Sequence, residues 1–144
     1  MRNEAPETMT GHCLCGAVRL SVAHPVREAS ACHCAMCRRW SGAAIWGFEA
    51  PAEAVTVQGP VETYRSSSFA ERAWCRRCGT HLWIRDDGEG FDLTPGLFDD
   101  AADFVLTREV YADRAFDCVS LAGGHARVKR ADYERDHPFV EDKP

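Results

Sequence analysis

Seven of the eight cysteines in this sequence fall into three short clusters. Cys13 and Cys15 form a CxC pair; Cys32, Cys34 and Cys37 form CxCxxC; Cys75 and Cys78 form CxxC; Cys118 stands apart. Cysteines kept as small buried hydrophobes need no fixed spacing. Cysteines one or two residues apart can chelate an ion, because the short loop between them brings both sulfurs to one point. The pattern therefore predicts metal binding. Zinc is the expected ion, since it takes tetrahedral sulfur and nitrogen ligands and does no redox chemistry. An iron–sulfur cluster is a rival, but its usual ligand runs are not matched. A disulfide framework is the other rival, weakened by the strain of a CxC bridge.

A glycine follows two of the clusters, in Cys13-Leu14-Cys15-Gly16 and in Cys75-Arg76-Arg77-Cys78-Gly79. In a zinc knuckle the backbone amides point at the ligand sulfurs, and such a glycine can take the positive φ the turn needs. A closed structural zinc site takes four protein ligands, whereas a catalytic site takes three and keeps a position open. Seven thiolates divide naturally in that way. CxC and CxxC, distant in sequence, can supply four sulfurs to one ion, and CxCxxC can offer three to another. Other pairings stay open at this level, including a second closed site completed by Cys118 or His33.

His33 lies between two candidate ligands, so its side chain is expected to point away from their metal. It would then act beside the ion or in structural hydrogen bonding. His12 reads as a surface residue at a strand end. Cys118, in Phe116-Asp117-Cys118-Val119, reads as a buried hydrophobe. The pairs Arg38-Arg39 and Arg76-Arg77 read as a solvated face that also offsets thiolate charge. An acidic ligand could use them.

The elements that must carry these clusters are short and mostly extended. Val18, Leu20 and Val22 alternate with Arg19 and Ser21, as in a half-buried strand. Residues 44–48 form a second apolar run. Residues 54–58 and 61–65 flank Gly59-Pro60 and are expected to form a hairpin. Residues 82–84, 91–94 and 105–111 are further strand candidates. Helix is scarce: one short turn is expected over 34–40 and another over 99–103. Residues 1–10 read as a disordered leader. The charged stretch 127–144 is expected to wrap the surface. Residues 11–144 thus read as one mainly β domain stapled by metal.

The chain has 144 residues, enough for one domain with a hydrophobic core. Its 17 basic and 22 acidic residues give a net charge of −5, which argues against a broad electrostatic grip on nucleic acid. No apolar run approaches the ~20 residues that span a bilayer, so no membrane partner is expected. The opening Met1-Arg2-Asn3-Glu4-Ala5-Pro6-Glu7 is polar, so no secretory signal is expected. A cytoplasmic location, where thiols stay reduced, follows as the expectation.

Three motifs carry a family resemblance. The segment Gly11-His12-Cys13-Leu14-Cys15-Gly16-Ala17-Val18 resembles the opening motif of the glutathione-dependent formaldehyde-activating enzymes, whose superfamily includes centromere protein V. Cys32-His33-Cys34-Ala35-Met36-Cys37-Arg38-Arg39-Trp40-Ser41-Gly42 is similar to the second motif, and Arg72-Ala73-Trp74-Cys75-Arg76-Arg77-Cys78-Gly79-Thr80-His81-Leu82 to the third. The resemblance spans about residues 11–125.

It implies an Mss4-like fold, a zinc-stapled tent of small antiparallel β-sheets with few short helices. It also implies a division of ligands. Cys13, Cys15, Cys75 and Cys78 match the family's structural zinc ligands, and Cys32, Cys34 and Cys37 its catalytic ones. The implied reaction joins glutathione and formaldehyde to give S-hydroxymethylglutathione, a carbon–sulfur lyase reaction in reverse. An open three-cysteine zinc suits that chemistry, because metal binding favours the thiolate of an incoming small thiol. Three cysteinates already leave such a zinc at net −1, so a further anionic sulfur needs cationic or hydrogen-bonding help. Arg38, Arg39 and His33 are the candidates. Two other functions compete: a non-catalytic binding module with two structural metal sites, and a different small-molecule reaction, such as isomerisation or carbon–halogen cleavage, at the same centre.

Overall fold

A computed structural model describes residues 7–137. Among the described residues it is mainly β, with eleven strands in two sheets and two short α-helices. The chain divides into two compact units.

The first unit comprises the chain up to Arg27 together with Gly47–Phe104. Its smaller sheet has the order β1 (Thr8–His12), β2 (Arg19–Ala23), β5 (Val55–Gln58), all antiparallel. Its other strands run β4 (Ile45–Ala50, from Gly47 on), β9 (Phe91–Leu93), β8 (His81–Asp86), β7 (Ala70–Cys75), β6 (Val61–Arg65), again antiparallel. The alternation of Val18, Leu20 and Val22 buries all three side chains. They join Met9, Phe48, Leu82 and Leu93 in one core. Phe48 meets Phe98 and Phe104 edge-on, with centroids 5.5 and 5.1 Å away, a favoured ring arrangement. Cys13 and Cys75 are wholly buried in the same core, so the first and third cysteine clusters are rooted in its packing.

The second unit comprises Glu28–Trp46 and the chain from Val105. Strand β10 (Val105–Val110) lies between β3 (Glu28–Cys32) and β11 (Ala126–Val128), both pairings parallel. Helix α1 (Ala35–Ser41) follows β3, and α2 (Arg130–Asp136) follows β11. This unit buries small residues such as Ala29 and Ala31, together with the polar His33 and Glu109.

Several expectations change. Residues 55–58 and 61–65 are strands, but they do not form a hairpin: β5 pairs with β2 and β6 with β7. Pro60, with no N–H to give a ladder, marks the crossing between sheets, and its carbonyl accepts from the Arg76 amide at 2.8 Å. Each strand then covers its valines separately. The stretch 127–144 does more than wrap the surface, since it supplies part of β11 and all of α2. Residues 138–144 lie outside the described residues, as do residues 1–6 of the expected leader. Thr8–Thr10, the end of that leader, belong to β1. Among the described residues no helix is long and apolar enough to cross a membrane.

Two candidate metal centres

In the first unit, the chain leaves β1 at His12 and makes a tight turn through Cys13 and Cys15. It leaves β7 at Cys75 and turns through Cys78 into β8. The two turns share one pattern. The Gly16 amide donates to the Cys13 carbonyl at 3.0 Å, and the Gly79 amide to the Cys75 carbonyl at 2.8 Å. Gly16 and Gly79 sit at φ 79° and 80°. A Cβ at either would meet nothing within 4 Å, so it is the left-handed backbone, not space, that calls for glycine.

The four sulfurs all lie within 4.8 Å of one another. Cys13 Sγ is 3.6 Å from Cys15 Sγ, which is 3.8 Å from Cys75 Sγ. A tetrahedron with zinc–sulfur bonds of about 2.3 Å has sulfur–sulfur edges of about 3.8 Å, so this group has the dimensions of a closed zinc site. A disulfide would need a separation of about 2.05 Å, and none of the eight cysteines forms one.

Electrostatics agree with that reading. The Thr80 hydroxyl, 3.1 Å from Cys78 Sγ, together with the Thr80 amide, lowers the Cys78 thiol to about 5. At Cys15 the Ala17 amide favours the thiolate, but burial and the three neighbouring sulfurs outweigh it and push the thiol up to about 11. Anionic sulfurs this close repel one another, and a divalent cation is what lets all four ionise.

In the second unit the cluster sits where β3 ends and α1 begins. Cys34 is the N-cap of α1: its backbone is extended and its sulfur accepts from the Cys37 amide at 3.4 Å. Cys37, three residues on, lies on the same face of the helix and is buried. The sulfurs of Cys32, Cys34 and Cys37 all lie within 4.8 Å of one another, and among the described residues no fourth ligand joins them. Contacts with the Cys34 and Cys37 sulfurs, with burial, raise the Cys32 thiol. Either cluster could hold a metal ion, and all-sulfur donors suit zinc.

Cys118 belongs to neither group. It is exposed, contrary to its reading as a buried hydrophobe, because it lies in an irregular segment rather than on a strand facing a core. Arg38 is one turn after Cys34 on α1, and its guanidinium lies 5.0 Å from the centre of the Phe116 ring. Arg39 is exposed. His33 is 1% exposed, and its Nε2 lies 2.7 Å from Glu109 Oε1.

Sequence reasoning missed three residues near this cluster. Glu109, on β10, is buried and receives His125 Nε2 at 2.5 Å on its second oxygen. Burial opposes its charge, yet the two imidazoles together hold the carboxyl below its usual range. Tyr111, just past β10, has φ 53° and donates its hydroxyl to Glu134 at 3.1 Å. Burial, Glu134 and the sulfurs of Cys34 and Cys32 all raise the Tyr111 phenol. A glutamate beside Val110 in an otherwise sheet-forming run was the available signal for the first of these.

The glutathione-dependent formaldehyde-activating enzyme family matches residues 8–114. The chain is 32% identical over 115 residues to an uncharacterized lyase of Schizosaccharomyces pombe, covering 78% of this chain and 84% of that protein. It is 33% identical over 88 residues to a Halomonas elongata protein named for glutathione-dependent formaldehyde activation, covering 54% of this chain and 56% of that one. A crystal structure of a Rhodobacter sphaeroides protein superposes with a TM-score of 0.55 at 25% identity, covering 69% of this chain and all of that one. The chain belongs to the glutathione-dependent formaldehyde-activating enzyme family.

Proposed function

We propose that this protein is a zinc-dependent carbon–sulfur lyase that forms or cleaves an S-hydroxymethyl-type adduct of a small thiol such as glutathione. The observation that carries the reading is a group of three sulfurs at Cys32, Cys34 and Cys37, with no fourth ligand among the described residues. The family and the names of its relatives support the reaction class.

In this reading Cys13, Cys15, Cys75 and Cys78 hold a structural zinc, and Cys32, Cys34 and Cys37 hold a second. The second ion, when bound, supplies positive charge and an open position that favour the thiolate of an incoming thiol. Cys32, at the end of β3, and Cys34 and Cys37, at the start of α1, would hold that ion. The thiol sulfur adds to the aldehyde carbon, a carbon–sulfur bond replaces the carbonyl π bond, and the oxygen takes up a proton to balance the one the thiol gave up. Arg38 sits one helical turn from Cys34 and offsets the excess negative charge of the sulfurs. Arg39 is aimed about 100° away around the helix, and buried His33 acts through its neighbours and does not touch substrate.

The test is a cobalt-substituted protein mixed with millimolar glutathione. The visible spectrum of the three-cysteine centre should shift while the four-cysteine centre keeps its bands. A spectrum that glutathione leaves unchanged would remove this reading, and would favour two structural sites.

A further inference from the structure

Glu109 lies on the strand next to β3, where Ala31 is its register partner and Cys32 pairs with Val110. An ionised carboxylate only accepts hydrogen bonds, so both His33 Nε2 and His125 Nε2 donate to it, one to each oxygen. The side chains involved are 1% (His33), 2% (His125) and 6% (Glu109) exposed. Such a group is costly to bury unless its partners are complete, and here both oxygens are engaged.

Each arm leads to a different segment. His33 separates Cys32 from Cys34, so fixing its ring fixes the backbone that aims those two sulfurs. His125 ends the irregular segment 115–125, which begins beyond the family's matched residues and carries Phe116 against Arg38. Arg127, the register partner of Glu109 on β11, closes the same segment through the Leu121 and Gly123 carbonyls at 2.8 and 3.0 Å. Its Nε lies 3.4 Å from Glu109 Oε2.

We infer that Glu109 is a positioning residue for the three-cysteine centre: its carboxylate, clamped between His33 and His125, locks the Cys32–Cys34 backbone and pins segment 115–125 beside Arg38. This rests on the reading that Cys32, Cys34 and Cys37 bind metal. A centre built on six consecutive residues has little rigidity of its own, and the clamp supplies it from another strand.

The experiment compares the metal-loaded full chain with Glu109→Gln, which keeps the volume but turns one acceptor oxygen into a donor facing an imidazole N–H. Chelator competition on cobalt-loaded protein reads the two centres separately. The three-cysteine centre should weaken by about 10–100-fold, the range for lost outer partners of a metal site, while the four-cysteine centre stays at its parent affinity. His125→Ala is the second variant. It should speed amide exchange across 115–125 at least about tenfold and weaken the three-cysteine centre selectively, by less than Glu109→Gln. A three-cysteine centre unchanged in both variants, or a parallel loss at both centres, overturns the positioning role. If Glu109→Gln does not fold, His125→Ala decides by the same selective loss or its lack. A parent chain that takes up only one metal ion overturns instead the functional reading underneath.

Discussion

The two cysteine centres use the same sulfur chemistry on opposite architectural terms. In the four-cysteine centre, Cys15 and Cys75 meet across 60 positions of sequence, at turns whose inner cysteines are wholly buried in the main core. An ion there closes a long loop and joins two sheets' worth of strands within one unit, so its binding free energy becomes folding free energy. The three-cysteine centre draws on one strand end and one helical turn, from Cys32 to Cys37. An ion there constrains almost no additional chain. Under the proposed function, the comparison teaches that sequence separation between ligands sets whether a bound metal would hold a fold or be free to serve chemistry.

The largest expected effect breaks the comparison at its root. Cys75→Ser should leave the first unit without its staple. Structural zinc contributes on the order of 10 kcal/mol, against a net stability of about 5–15 kcal/mol for a domain, so the cooperative thermal transition should be lost. Cys37→Ser should leave that transition nearly in place, lower the metal count by one, and reduce the proposed lyase activity to background. Circular dichroism melts with metal analysis check both. Equal unfolding by the two substitutions would show the centres to be equivalent staples.

Much of this contrast was legible in the residues. Cysteine spacing and the glycines after two clusters follow from local chelate and turn geometry, which sequence records directly. The strand at Arg19–Ala23 was legible because its valines and leucine alternate. Strand β3, Glu-Ala-Ser-Ala-Cys, was not, because its buried residues are alanines with a weak hydrophobic signal. Strand β7 was missed for a related reason: Arg72 is buried there among alanines, against the usual polarity pattern. Glu109 and His125 meet across 16 positions, and His33 and Glu109 across 76. Only the parallel pairing of β3, β10 and β11 brings them together, and parallel neighbours leave no short-range turn signature to read. The hairpin expected at Gly59-Pro60 failed for the same cause, since which strand pairs with which is decided by distant partners.

A smaller effect sharpens the comparison through pH. A thiol whose proton is held more tightly competes better against metal, so protons displace the ion from it at a higher pH. Cys32 is raised by its two sulfur neighbours and by burial; in the four-cysteine centre Cys15 is likewise raised, to about 11, but Cys78 is lowered to about 5 by Thr80 and a fourth sulfur shares the ion. On acidification the three-cysteine centre should therefore release its metal first and the four-cysteine centre at lower pH. Stepwise acid titration with a chromophoric chelator reads the order, and release in the opposite order would contradict the assignment of the staple.

The smallest expected effect isolates one hydroxyl. Thr80 Oγ1 accepts from the Leu14 amide at 3.1 Å, and its O–H is directed at Cys78 Sγ, also 3.1 Å away. It thus links the two knuckles of the four-cysteine centre. Thr80→Val keeps the shape and removes both bonds. The Leu14 amide is on an exposed turn, where water replaces its partner, so the loss should be about 1 kcal/mol, or about 2–4 °C in Tm. The charge effect should exceed the stability effect: without the hydroxyl, Cys78 loses the largest influence favouring its thiolate, and metal release from this centre should move to higher pH. Thr80 acts on Leu14 and Cys78 of the four-cysteine centre, so the release pH of the three-cysteine centre should stay where it was. A shift at that centre would mean that the two are coupled, and that the division into a holding site and a working site is too simple.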